Sequence, residues 1–198
     1  MIFLTLVGAV LLFYPLVQTE LDFQSQKVNQ KQAPVARAYF GDLLGDDSRV
    51  LGQQAPDQGF SLVIPRIDAK AKVIADVDFT NQTAYDEALK MGVAHAYGSS
   101  FPGDGKIIWL FAHSTDSPWR VEKYNAVFYL LRKLEPNDQI IVFFNGKRFD
   151  YRVDEKKVIE PSDVSFLKNT GEERLILQTC WPPGTTLKRL IVTARLVG

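Results

Sequence analysis

The chain is poor in the residues that usually betray chemistry. It has one cysteine, two histidines and two methionines in 198 residues, and its charges cancel. A single cysteine leaves no partner for an internal disulfide and excludes a zinc cluster of the Cys–Cys type. With 23 Lys and Arg against 23 Asp and Glu, the formal net charge is zero. Nucleic-acid binders rely on clustered basic side chains, so the balance argues against that class. Apolar side chains are plentiful: 46% of residues are hydrophobic and 12% aromatic. That composition specifies a folded domain with a real core rather than a disordered chain.

The lone thiol stands in a defined setting. Residues 174–179 read as a strand whose apolar run is Leu175, Ile176 and Leu177, and Cys180 sits where that strand is expected to stop. Trp181-Pro182-Pro183-Gly184 then turns the chain, because proline cannot donate to a ladder and glycine tolerates turn geometry. A second strand starts at Lys188-Arg189 and runs to Leu196. A thiol and a guanidinium therefore lie at facing ends of two consecutive strands. Arginine is always charged and presents fixed donors, as an oxyanion formed by thiol attack on a carbonyl requires. A lone cysteine in a folded domain is otherwise a small buried apolar residue, and Arg189 is otherwise a surface strand charge. Lys188 and Arg189 point to opposite faces and cannot share a role.

A base must come from one of two histidines. His113 follows the apolar run Lys106 to Ala112, which lacks alternation and is expected to be buried on both faces. His95 lies in Gly92-Val93-Ala94-His95-Ala96-Tyr97. Strand-terminal His113 and Cys180, with Arg189 on the next strand, make a candidate Cys–His–Arg site.

In this order, Ala112-His113, then Leu177-Gln178-Thr179-Cys180, then Arg189 after a short loop, the chain resembles the sortase family of cysteine transpeptidases. The resemblance extends over roughly residues 58 to 198. Ile64-Pro65 is similar to the family's opening strand, and Phe128 to Leu134 followed by Asp138-Gln139-Ile140 resembles its helix and Gly-Asp-x-Ile segment. Asn137 stands where Gly is usual, a swap that Asn tolerates because it enters the left-handed region. The resemblance implies a thioester acyl-enzyme on Cys180, with a C-terminal sorting motif of the Leu-Pro-x-Thr-Gly kind cut after Thr and passed to an amine. That amine belongs to a cell-wall peptide or to a pilin-like protein subunit. It implies proton transfer by His113, oxyanion or motif contacts from Arg189, and a structural part for His95. Thr179 points away from the face of Cys180, and its backbone and hydroxyl are candidates for shaping the substrate site. The Trp-Pro-Pro-Gly loop and its step to Arg189 look nearer the family's C and D classes than its A class. Other readings stay open: an endopeptidase using water as acceptor, or a non-enzymatic envelope barrel that binds peptide strands.

The rest of the chain divides by composition. Residues 1–17 carry no charge, a length at the short end for a membrane span. They are expected to be an uncleaved anchor, with a cleaved signal as the alternative, which the resemblance extends to a single-pass protein with its catalytic domain outside the cell membrane. Residues 18–58 hold eight Gln and read as a polar arm, interrupted by an apolar island at 35–44. That island lacks the Asp-Pro-aromatic plug found in the lids of some pilin-building sortases.

Residues 59–198 are expected to form a mainly β domain, a closed eight-stranded barrel with two or three short helices. Strands are expected over 60–66 and 70–76, with Pro65 demoting the first to an edge or bulge. A helix is expected over 84–91, a polar loop over 114–123, and a second helix over 124–134 with Val127, Leu130, Leu131 and Leu134 on one face. Asn145-Gly146 marks a hairpin. No cofactor is expected. Some sortases bind calcium through acidic loop residues, and Glu172 and Glu173 occupy such a loop, but no metal is assigned to them. Asp116, three residues past His113, reads as an ordinary turn residue.

Overall fold

The computed structural model describes residues 17–18, 20–25, 59–114, 127–168 and 171–197. Two compact units are distinguished, Met1–Gln54 and Ala55–Gly198. In the first, residues 20–25 are helical, and the Ser25 hydroxyl donates to the Asp22 carbonyl at 2.8 Å. Most of the apolar segment 1–17, the island 35–44 and the loop carrying Asp116 lie outside the described residues. Among those described, no helix is long and apolar enough to cross a membrane.

The second unit is a closed barrel of eight strands. They are β1 (Phe60–Ile64), β2 (Ala69–Val77), β3 (Val93–Ala96), β4 (Ile107–Phe111), β5 (Gln139–Phe144), β6 (Lys147–Ile159), β7 (Arg174–Trp181) and β8 (Lys188–Leu196). Around the barrel the order is β1-β2-β3-β4-β7-β8-β6-β5, with β5 closing on β1. Pairing is parallel at β2–β3 and β4–β7 and antiparallel elsewhere. Alternate residues point inward: Ile108 and Leu110 of β4, Leu175 and Leu177 of β7, and Val192 and Ala194 of β8 are fully buried. Helix α1 (Gln82–Met91) packs through Ala88 and Leu89 on Val77 of β2, Ala94 and Ala96 of β3 and Phe111 of β4.

Local sequence accounts for the corners. Asn81 caps α1, its side-chain oxygen accepting from the Ala84 N–H at 3.2 Å. Gly92 ends it where the backbone passes so close to β2 that a Cβ would lie 2.4 Å from the Lys72 carbonyl oxygen. Asn145 and Gly146 both have positive φ, 49° and 73°, as a two-residue hairpin of the type I′ class needs. Asn137 has φ 70°, and its N–H donates to the Val153 carbonyl at 2.8 Å. Glu173 is the main polar fastening of the interior. One of its oxygens accepts from Gly103 N–H (3.0 Å) and Gly105 N–H (2.9 Å), and the other from the Tyr151 hydroxyl (2.6 Å). The loop between β3 and β4 is thereby tied to the start of β7. Burial, with the neighbouring carboxylate, pushes the Tyr151 phenol far above its ordinary range.

Three expectations need correction. Pro65 does not make β1 an edge: β1 is paired on both sides, and Pro65 opens a 3-10 turn, Pro65–Ile67, just past its end. Of the second expected helix, residues 124–126 lie outside the described residues, and the described part holds a 3-10 turn, Tyr129–Lys133. Its buried anchors Phe128, Leu131 and Leu134 fall every third residue, a spacing that suits three residues per turn better than 3.6. Cys180 lies inside β7 and not beyond it, because its ladder with β8 continues to Trp181↔Lys188.

Candidate active site

The last strand pair sets Cys180 directly against Arg189. Their Cα atoms are partners in the β7–β8 register, so both side chains leave the sheet on the same face. Thr179↔Leu190, one step back, faces the interior, where both are buried. Cys180 and Arg189 are partly exposed. One Arg189 terminal nitrogen donates to the Thr186 and Lys188 carbonyls, at 3.1 and 3.0 Å, which holds the guanidinium at the foot of the β7–β8 loop. Lys188 reaches Glu160 instead, at 3.1 Å.

His113 arrives from the other side of β7. The parallel β4–β7 pairing runs through Phe111↔Gln178. It is extended by the Ala112 N–H donating to the Gln178 carbonyl (3.2 Å) and by the Thr179 hydroxyl donating to the Ala112 carbonyl (2.8 Å). Continuing that register sets His113 beside Cys180, on a strand spacing of about 4.8 Å. Phe111 and His113 share one face, since the Tyr85 ring touches both. The outer face at this end of the barrel therefore carries His113, Cys180 and Arg189 in a row.

Thr179 is committed to this scaffold. Its hydroxyl is buried and braces the backbone that leads into His113. Ser114, also buried, accepts from the Gly184 N–H at 3.4 Å and links the His113 shoulder to the β7–β8 loop. The loop itself holds a cis Trp181–Pro182 peptide bond and a turn closed by Thr185 N–H on the Pro182 carbonyl at 3.0 Å.

His95 is elsewhere and fully buried. Its Nδ1 accepts from the Asp76 N–H at 3.2 Å, which puts the ring proton on Nε2, toward the Ser100 carbonyl at 3.0 Å and Ser99 Oγ at 2.9 Å. Burial holds its pKa below the ordinary value, against the Ser100 carbonyl and Asp76, which favour the proton. Both nitrogens are used by the fold. Glu173, one of the two acidic loop residues, likewise has both oxygens engaged. Among the described residues no group of three or more His, Cys, Asp and Glu is set to hold a metal ion.

Sequence reasoning passed over Tyr85. It projects from α1 onto the site, its ring stacked on Phe111 (5.4 Å between centroids, 10°) and edge-to-face with His113 (6.3 Å, 85°). Burial raises its pKa, the nearby Cys180 adds to the rise, and Arg189 opposes it. The available signal was its spacing from Ala88 and Leu89, three and four residues on, which assigns it to the buried stripe of α1.

Beyond Arg189, the same face continues into a shallow depression of about 120 Å³. Ile159, Ile191, Thr193, Ser165 and Phe166 line it together with the ion-paired Glu155 and Lys157. Phe166 comes from the 3-10 turn Ser165–Leu167 between β6 and β7 and packs edge-to-face on Trp109 at 5.7 Å. Among the described residues, the indole Nε1 of Trp109 has no hydrogen-bond partner, although it is buried.

Comparison with known proteins finds this fold repeatedly. The sortase domain matches residues 62–197. Sortase D of Bacillus subtilis is 28% identical over 140 residues, which cover 69% of this chain and 62% of that protein, so the chain spans less than two thirds of that relative's length. The crystal structure of Streptococcus agalactiae sortase C1 superposes with a TM-score of 0.59 at 28% identity, covering 70% of this chain and 66% of the other. A Clostridium perfringens sortase D5 transpeptidase, 22% identical, shares the fold with a TM-score of 0.57, covering 77% of this chain and 88% of its own. With the match running across all eight strands of the barrel, the chain belongs to the sortase family, on the side of its C and D classes.

Proposed function

We propose that this chain is a cysteine transpeptidase that cuts a Leu-Pro-x-Thr-Gly-like sorting motif after Thr and joins the Thr carbonyl to an amine. The observation that carries the reading is the Cys180↔Arg189 register pair with His113 delivered beside it by the parallel β4 strand. A thiol, an imidazole and a fixed cation on one partly open face match the needs of acyl transfer.

The steps follow from these groups. The Cys180 thiolate attacks the Thr carbonyl carbon, and the carbonyl electrons move onto oxygen, where the Arg189 guanidinium donates to the oxyanion. His113 in its protonated form gives its proton to the departing amine as the peptide bond breaks, leaving a thioester on Cys180. An incoming amine then attacks the thioester, His113 takes its proton, and Cys180 leaves as thiolate. The motif's upstream residues suit the depression beside Ile159, Ile191 and Phe166, which starts level with Arg189 at its register partner Ile159. The acceptor is an amine of a cell-wall peptide or of another protein subunit, and segment 1–17 serves as the membrane anchor.

Intact mass tests this. The full chain, incubated with pooled Leu-Pro-x-Thr-Gly-like peptides, gains a mass ending at Thr. Hydroxylamine removes the adduct, and Cys180→Ala never forms it. An adduct that persists in Cys180→Ala, or folded protein that neither binds nor cleaves peptides varied at every motif position, refutes the reading. Product analysis with and without added amine separates transfer from hydrolysis.

A further inference from the structure

Strand β7 carries one side chain whose polar group the fold does not use. Its run Leu175, Ile176 and Leu177 is buried, and Gln178 follows, half-buried. The Gln178 main chain is engaged, its carbonyl accepting from the Ala112 N–H at 3.2 Å. Its side-chain amide has no hydrogen-bond partner among the described residues. Alternation puts that amide on the same face as Cys180, two residues on. The rung it belongs to is Phe111↔Gln178↔Ile191, across β4, β7 and β8. Phe111 is 4% exposed and Ile191 2%, so the amide stands between two packed apolar side chains. An amide in such a place costs free energy unless it is hydrogen-bonded. Packing alone does not call for it, since Ile176, one rung back on the same face, is apolar and buried.

The rung also fixes what the amide meets. Cys180↔Arg189 is the next rung on this face, and Ile191, the partner of Gln178, lines the depression beside it. A strand rises about 3.3 Å per residue, so Gln178 lies about 7 Å from Cys180 along β7. An extended peptide with its Thr carbonyl at Cys180 and its upstream residues in the depression passes this rung within two residues of Thr. In an extended chain the N–H and carbonyl of one residue leave on the same side. A carboxamide has one acceptor oxygen and two N–H donors, so it can answer both. We infer that Gln178 is a substrate-binding residue, whose carboxamide holds the main chain of the donor residue just before Thr, accepting from its N–H and donating to its carbonyl. The inference rests on the transpeptidase reading above. Because the contact is to main chain, the side chain of that donor residue is left free to vary.

The test is a double-mutant cycle between protein and peptide, run on the full chain. The peptide is the member of the pooled set that acylates Cys180 fastest. Its depsipeptide analogue carries an ester oxygen in place of the N–H of the residue before Thr. Single-turnover mass spectrometry gives the second-order rate of acylation for wild type and for Gln178→Met, which keeps the side-chain length and removes the amide. Gln178→Met lowers that rate about 5- to 10-fold on the peptide, the scale of one or two neutral hydrogen bonds. The ester lowers it by a similar factor in wild type and by much less in Gln178→Met, where the bond is already gone. Should Gln178→Met lose its cooperative urea transition, Gln178→Leu takes its place. A variant as fast as wild type overturns the role of the side chain. Equal ester penalties in wild type and variant overturn the contact with the main chain and leave acyl transfer standing. Wild-type protein that no peptide acylates removes the transpeptidase reading, and the inference with it.

Discussion

Lowering the pH from 7.5 to 5.5 should weaken this fold through one residue, His95. The ring is fully buried, and its Nδ1 accepts from the Asp76 N–H. Protonating Nδ1 would set a donor against a donor and place a charge in an apolar pocket between Phe60 and Phe101. The Asp76 carboxylate, 3.6 Å from Nδ1, offsets part of that, but it is half exposed and the pKa stays lowered. The sign follows. In the unfolded chain the histidine titrates near about 6.5. Between that value and the lower folded value, the unfolded chain binds a proton that the fold does not. Stability is therefore full above about pH 7.5 and declines as pH falls through 6.5. With the folded ring still neutral, linkage sets the loss at pH 5.5 at roughly 1.4 kcal/mol at most. Carboxylates titrate near about 4 and contribute little in this window. Urea unfolding of the full chain at pH 7.5, 6.5 and 5.5 measures the slope. His113→Ala serves as control, because the chain has only these two histidines. His95→Gln should be less stable at pH 7.5 but flat across the window. A wild-type stability that is flat from 7.5 to 5.5, or a His95→Gln slope equal to wild type, refutes the reasoning.

Three further outcomes are expected. Glu173→Gln lowers stability by about 2 kcal/mol, because three bonds to a charged acceptor become bonds to a neutral amide, one end of which opposes its donors; urea midpoints at constant m value check it. Thr179→Val keeps the shape but leaves the Ala112 carbonyl without its hydroxyl donor, costing about 1 kcal/mol, and it lowers acyl-enzyme formation without abolishing it, as single-turnover mass spectrometry would show. Gly92→Ala drives a methyl group against the Lys72 carbonyl and costs about 1–3 kcal/mol, read as a lowered Tm.

The sequence was most informative where chemistry and local geometry coincide. Asn145-Gly146 specified a hairpin because few residues accept two positive φ angles in succession. The buried runs of β4 and β7 were visible as apolar stretches without alternation, and the Cys180–Arg189 pairing followed from two strands joined by a proline turn. The described part of the second helix differed because the expected face, Val127, Leu130, Leu131 and Leu134, shares two residues with the anchors at 128, 131 and 134 over so short a span. Pro65 was misjudged because a proline just past a strand end and one inside a strand look alike without a register. Tyr85 stayed hidden since its partners, Phe111 and His113, lie on a strand that only tertiary packing brings under α1. The buried links Thr179–Ala112 and Ser114–Gly184 were equally silent, each joining residues 67 and 70 positions apart.

That separation bears on when the protein becomes reactive. Parallel neighbours such as β4 and β7 cannot form as a hairpin; the chain must first complete the crossover between them. Until it does, Cys180 has no imidazole beside it, although the antiparallel β7–β8 pair can already set Arg189 across from it. On the proposed mechanism, a chain still emerging, or one that has opened, is chemically quiet toward the peptides around it. On that mechanism, reactivity is switched on by closure of the barrel, and the proposed nucleophile reports on the completeness of its own fold.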